Sequence, residues 1–72
     1  MTKEEIELAN SWIIDTFRIS YQKDAKEEIR KHLQNADSNV LRYFCNEIGV
    51  QAEHYEACQV AKEILNERGE SL

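Results

Sequence analysis

The chain has 72 residues, 42 % hydrophobic and 32 % charged, with a net charge of −5, two glycines, two cysteines and no proline. That length holds one small domain with a thin core, since so short a chain buries only about 60–65 % of the surface its unfolded form exposes, which weighs against an enzyme with a deep, dry pocket. The scarcity of turn residues argues against an all-β fold, which needs a turn signal every ~8–12 residues, and the apolar content excludes a disordered acidic tail.

Four helical segments and no strand are expected in chain order. The first opens on Thr2, Lys3, Glu4 and Glu5, a Thr-x-x-Glu capping box whose hydroxyl and carboxylate satisfy free N–H groups of the first turn. Ile6, Ala9, Ile13 and Phe17 then recur at helical spacing to about Ile19. The second covers roughly residues 22–35, with Ala25, Ile29, Leu33 and Ala36 on one face and Asp24 to Glu27 as a further capping box; the first two helices could also run together through Ser20 and Tyr21. Asn35, Asp37, Ser38 and Asn39 compete with the backbone for hydrogen bonds and break the chain before a third helix, about 38–48, capped by Asp37 or Ser38 and packing through Val40, Leu41, Phe44 and Ile48. Gly49 is expected to end it in the left-handed conformation. The fourth runs from about Gln51 to Arg68, closed by Gly69, with His54, Ala57, Cys58, Val60, Ala61, Ile64 and Leu65 on its inner arc together with Val50 just before it. The expected fold is an all-α single-domain bundle of four short helices over residues 1–72, or three if the first two merge, with a helix-turn-helix-like corner at Gly49.

No basic segment followed by a leader-like apolar run opens the chain, and apolar stretches such as Trp12, Ile13 and Ile14 fall far below the ~20 residues of a membrane span. A cytoplasmic protein without a membrane partner is expected, its two cysteines reduced. Residues 1–19 carry −2, residues 20–36 carry +1, residues 37–49 carry −1 and residues 50–72 carry −3. Nucleic acid would require a concentrated basic face to displace counterions, and the basic residues of 20–36 are interleaved with acids.

Three chemical readings have residues to rest on. A helix-turn-helix DNA-binding regulator would use helix 4 and a basic surface of Lys23, Lys26, Arg30, Lys31 and Arg42, but the recognition helix would open with Gln51, Ala52, Glu53, His54, Tyr55 and Glu56, whose carboxylates repel phosphate. A small metal-binding domain would combine His54 and Cys58, four apart on one helix face, with Cys45 and His32, yet the Cys-x₂₋₄-Cys pair that makes zinc motifs specific is missing. A Cys–His nucleophile pair lacks any oxyanion-stabilising loop. No cofactor and no catalytic residue is therefore expected.

Two surface patterns are more informative. With Ile6 set at 0°, the expected core set Ala9, Ile13, Ile14, Phe17 and Tyr21 lies between about −60° and +80°, while Leu8, Trp12 and Ile19 fall at about 200–240°, a second apolar stripe. Glu53, Glu56, Glu63 and Glu67 form an acidic row on helix 4, and Tyr55 lies on another exposed face. Together they suggest an interaction module that regulates or inhibits another protein, with Leu8, Trp12 and Ile19 as apolar anchors. Tyr55 would be an adaptable contact, and the carboxylates would steer toward a basic surface; a homodimer through the stripe would serve the same residues. The composition is similar to that of many bacteriophage, mobile-element and bacterial regulatory proteins that act by binding another protein, a resemblance that covers no motif.

Overall fold

The computed structural model describes residues 1–70. It is an all-α bundle, with no strand among the described residues: α1 (Lys3–Ile19), α2 (Ala25–Leu33), α3 (Ser38–Tyr43), a π-helical stretch (Phe44–Ile48), α4 (Gly49–Gln51) and α5 (Tyr55–Glu67). No helix is long and apolar enough to cross a membrane among these residues.

The capping box at the start of α1 forms as the residue types require: Glu5 N donates to Thr2 Oγ1 (3.2 Å) and Thr2 N to Glu5 Oε1 (3.0 Å). A tightened turn follows Ile19, with Tyr21 N on Arg18 O and Gln22 N on Ile19 O, so α1 and α2 are separate helices. The box expected at Asp24 does not form, for Asp24 makes no side-chain cap bond. Asp37 does cap α3, its Oδ1 accepting from Asn39 N at 2.8 Å.

Gly49 does not end a helix. It is helical (φ −65°, ψ −37°), and the chain runs from α3 through the π stretch into α4 without a turn. The reason lies in the spacing of the buried residues Val40, Leu41, Phe44, Cys45, Ile48 and Gly49. A strict four-residue repeat drifts about 40° around an α-helix at each step. The wider π turn, in which Gly49 N reaches back to Phe44 O, takes up that drift and keeps the whole row facing inward. Termination comes at Glu53, the left-handed residue (φ 57°) of a Schellman motif in which His54 N donates to Gly49 O (2.9 Å) and Glu53 N to Val50 O (3.1 Å). The expected fourth helix from Gln51 therefore begins instead at Tyr55. Its end follows expectation: Gly69 (φ 76°) makes the same motif, with Glu70 N on Leu65 O and Gly69 N on Asn66 O.

The core consists of Ala9 and Trp12 from α1, Ile29 and Leu33 from α2, Val40 and Leu41 from α3, Phe44, Cys45 and Ile48 from the π stretch, and Ala57, Cys58, Val60, Ala61, Ile64 and Leu65 from α5. Full burial of a side chain such as Leu33 or Phe44 contributes about 1.5–3 kcal/mol. Gly49 permits close approach: a Cβ there would stand 2.3 Å from Cys58 Sγ and 3.0 Å from Phe44 O. α2 and α5 lie side by side, joined along their solvent edge by Lys26–Glu63 (3.2 Å) and by Arg30–Glu67. A polar clasp ties their ends to α3, with Arg68 donating to Ser38 Oγ (2.9 Å) and Gln34 O (2.7 Å), and Arg42 pairing with Glu70 (3.3 Å).

Candidate interaction surface

The inward face of α1 is neither of the two stripes read from the helical wheel. It runs between them, along Ala9, Trp12 and Thr16, with Ile13 and Ile19 partly buried on its edges. Thr16 can occupy the centre because its hydroxyl donates to Trp12 O at 2.7 Å, so burying it leaves no polar atom stranded. Trp12 is 5 % exposed and meets Phe44 edge to face, ring centroids 5.6 Å apart at 72°. Trp12 is thus a core residue and offers no anchor to a partner, and Ile19 packs against the same core. Of the three expected anchors only Leu8, 49 % exposed, faces solvent.

Of the five residues expected inside, Ala9 is buried and Ile13 packs against the core, while Ile14, Phe17 and Tyr21 take the opposite place. Ile14 is 59 % exposed, Phe17 37 % and Tyr21 89 %. Ile14 and Phe17 follow one another along one side of α1, and Tyr21 follows in the turn beyond its end. Phe17 stacks flat on His54, centroids 4.1 Å apart and 11° from parallel. The stack joins this apolar strip to the α4–α5 corner, which carries exposed Val50, Glu53, Tyr55 and Glu56. His54 itself is buried, with its Nε2 lacking a hydrogen-bond partner among the described residues. An orphaned buried nitrogen costs about 1–3 kcal/mol.

The acidic row divides in two. Glu63 and Glu67 are consumed within the chain by Lys26 and Arg30. Glu53 sits in the corner, outside α5, and Glu56 lies in the first turn; neither has an ion-pair partner among the described residues. Four of the five cations of the basic surface required for DNA binding are paired with carboxylates, Lys26 and Arg30 along this seam, Lys31 with Glu28 (3.4 Å) and Arg42 with Glu70. A shallow cavity of about 190 Å³ between α2 and α5 is lined by Arg30, Gln34, Ile64, Glu67 and Arg68, both guanidiniums already engaged.

The four residues of the metal reading do not converge. His32 lies beside Asp15 (3.5 Å), His54 stacks on Phe17, and no group of three or more potential ligands occurs among the described residues. The cysteines face each other, Cys45 Sγ on Cys58 O (3.6 Å) and Cys58 Sγ on Cys45 O (3.5 Å). Burial, followed by the proximity of Cys45, pushes the Cys58 thiol up from 9.0 to about 11, and burial raises Cys45 as well. Neither is an activated nucleophile.

Sequence reasoning missed Ile14, Phe17 and Tyr21 as surface residues because apolar side chains at helical spacing are ordinarily core. The signal that could have found them is Thr16 between Trp12 and Ile19: a residue able to bond its own helix backbone can lie at the centre of a buried face. Compared with protein-family models, with curated proteins and with solved structures, the chain matches none.

Proposed function

We propose that this chain is a non-enzymatic, cytoplasmic protein-interaction module that regulates or inhibits a partner by binding it. The observation that carries the reading is the apolar strip of Ile14, Phe17 and Tyr21, left open along α1 and the turn that follows it while Trp12 is used up in the core. Aromatic side chains are enriched at protein interfaces and make effective anchors there, and leaving Tyr21 and much of Ile14 in water forgoes burial worth about 25 cal/mol per Å² of apolar surface. Through the Phe17–His54 stack the strip leads to the corner that carries Glu53 and Glu56, neither ion-paired among the described residues. The complementary partner is a protein with an apolar groove and a basic rim, the acids steering its approach. Tyr55 and Leu8 are the outlying contacts, whereas Glu63 and Glu67 support the fold.

The test compares wild type with Ile14→Ser/Tyr21→Ser and with Glu53→Lys/Glu56→Lys in capture from native cell lysate, with sizing of each purified protein. Emission from buried Trp12 reports whether each variant is folded. The apolar double variant is expected to stay folded and to lose a prominent partner by at least tenfold, and the charge reversal to weaken capture in a salt-dependent way. A wild-type dimer made monomeric by the apolar double variant would identify the partner as a second copy. Identical capture and identical sizes for all three proteins would overturn the reading.

A further inference from the structure

Cys45 and Cys58 are two free thiols buried against one another where the π stretch packs on α5. Each sulfur lies within 3.6 Å of the other residue's carbonyl oxygen. Such reciprocal contact sets the two backbones side by side, and Gly49 leaves the space that Cys58 Sγ fills. We propose that Cys45 and Cys58 form a redox modification site, converted by a hydroperoxide into an intramolecular disulfide that ties the π stretch to the first turn of α5. The proposal stands independently of the interaction reading.

Holding both sulfurs on one rigid packing surface gives the second a high effective concentration toward the first. In the closed fold both thiols are shielded from water and hold their protons, so attack is slow. Cys58 lies one turn beyond the left-handed Glu53, with its N–H on His54 O (3.2 Å), and fraying of that first turn uncovers it. The Cys58 thiolate then attacks one peroxide oxygen: an S–O bond forms, the O–O bond breaks, and hydroxide leaves to take up a proton as water. The Cys45 thiolate attacks the resulting sulfenic sulfur: the S–S bond forms, the S–O bond breaks, and hydroxide leaves with the proton from Cys45 as a second water. Two thiols and one hydrogen peroxide thus give one disulfide and two waters, the pair of electrons passing from the two sulfurs to the peroxide.

The experiment treats the reduced wild-type chain with hydrogen peroxide and reads intact mass, thiol content and melting temperature. The expected product is a monomer lighter by two hydrogens, without free thiols, restored by dithiothreitol. Closing a loop between residues 13 apart should raise its melting temperature by roughly 10–20 °C. Cys45→Ala should stop at a Cys58 sulfenic acid that dimedone traps; if that variant fails to fold, peptide mapping of oxidised wild type for the Cys45–Cys58 cross-link decides the matter alone. Retention of both free thiols, a cross-link between chains, or sulfinic acid in place of the disulfide would overturn the proposal.

Discussion

Glu53 occupies the left-handed region (φ 57°) at the C-terminal end of α4, where glycine would rest without strain. An ordinary side chain there costs roughly 1–2 kcal/mol, because its Cβ crowds the following carbonyl. Replacement by glycine removes that cost and gives part of it back through the freer unfolded chain. Glu53→Gly is therefore expected to stabilise the protein by about 0.5–1 kcal/mol in urea titration, whereas Glu53→Ala, which keeps the Cβ, should leave stability within about 0.5 kcal/mol of wild type. Equal stability of the two variants would show that the corner does not need a left-handed residue. The comparison has functional content, since stored backbone strain tends to cluster at sites of function, and Glu53, next to the His54 that stacks on Phe17, has no ion-pair partner among the described residues. The same corner holds His54, whose Nε2 has no hydrogen-bond partner among the described residues, a second local cost.

The π stretch and α5 meet at Gly49, and the packing there is tight enough to be tested by one methyl group. Gly49→Ala would place its Cβ 2.3 Å from Cys58 Sγ, so the expected loss is about 1–3 kcal/mol despite alanine's better helix propensity. Cys58→Ala removes the obstructing sulfur, and the double variant should be more stable than the sum of the singles predicts by about 1–2 kcal/mol; simple additivity in urea unfolding would show that the two positions do not touch. The glycine's role could not be read from the sequence, where a glycine after an amphipathic run signals a stop. What decides otherwise is contact with a residue nine positions onward in another helix. The features legible in the sequence are those written in neighbouring residues: the Thr2–Glu5 box, the Asp37 cap, the Gly69 stop, and the apolar faces of α2 and α5. Those that were not legible depend on register between distant segments. Lys26 and Arg30 meet Glu63 and Glu67 only once α2 lies beside α5, which turns half of an apparent docking row into an internal seam. Each of these exposed pairs contributes only about 0.2–1 kcal/mol, so their main effect is on the charge available to a partner. The exposed strip of α1 was hidden for the same reason, because periodicity marks the apolar faces of a helix but does not say which one its neighbours cover.

At the scale of the whole molecule the limiting quantity is the size of the core. The radius of gyration is 11.1 Å, and a domain of this length is held by a net of only about 4–11 kcal/mol. A single buried ionisable group can therefore move global stability by a large fraction, and Cys58 is placed to do so in alkali. Burial, and next the proximity of Cys45, holds its thiol at about 11 in the folded chain against 9.0 for the unperturbed group. Below pH 9 both folded and unfolded chains keep the proton, and the group is neutral to stability. Between pH 9 and pH 11 the unfolded chain releases the proton while the folded chain retains it, so the unfolded state binds fewer protons and stability falls as pH rises. The loss reaches about 2–3 kcal/mol at the upper end of that window, and Cys45, raised in the same direction, adds to it. Urea unfolding under reducing conditions at about pH 8 and about pH 10.5 checks this, with Cys45→Ala/Cys58→Ala as reference. Tyrosine and lysine ionisation is common to both proteins, so the difference between their pH responses isolates the thiols. Wild type should lose about 2 kcal/mol more than the double variant over that interval. Equal losses would mean that the two thiols reach water in the folded state, which would also remove the shielding that makes their oxidation depend on opening the α4–α5 corner.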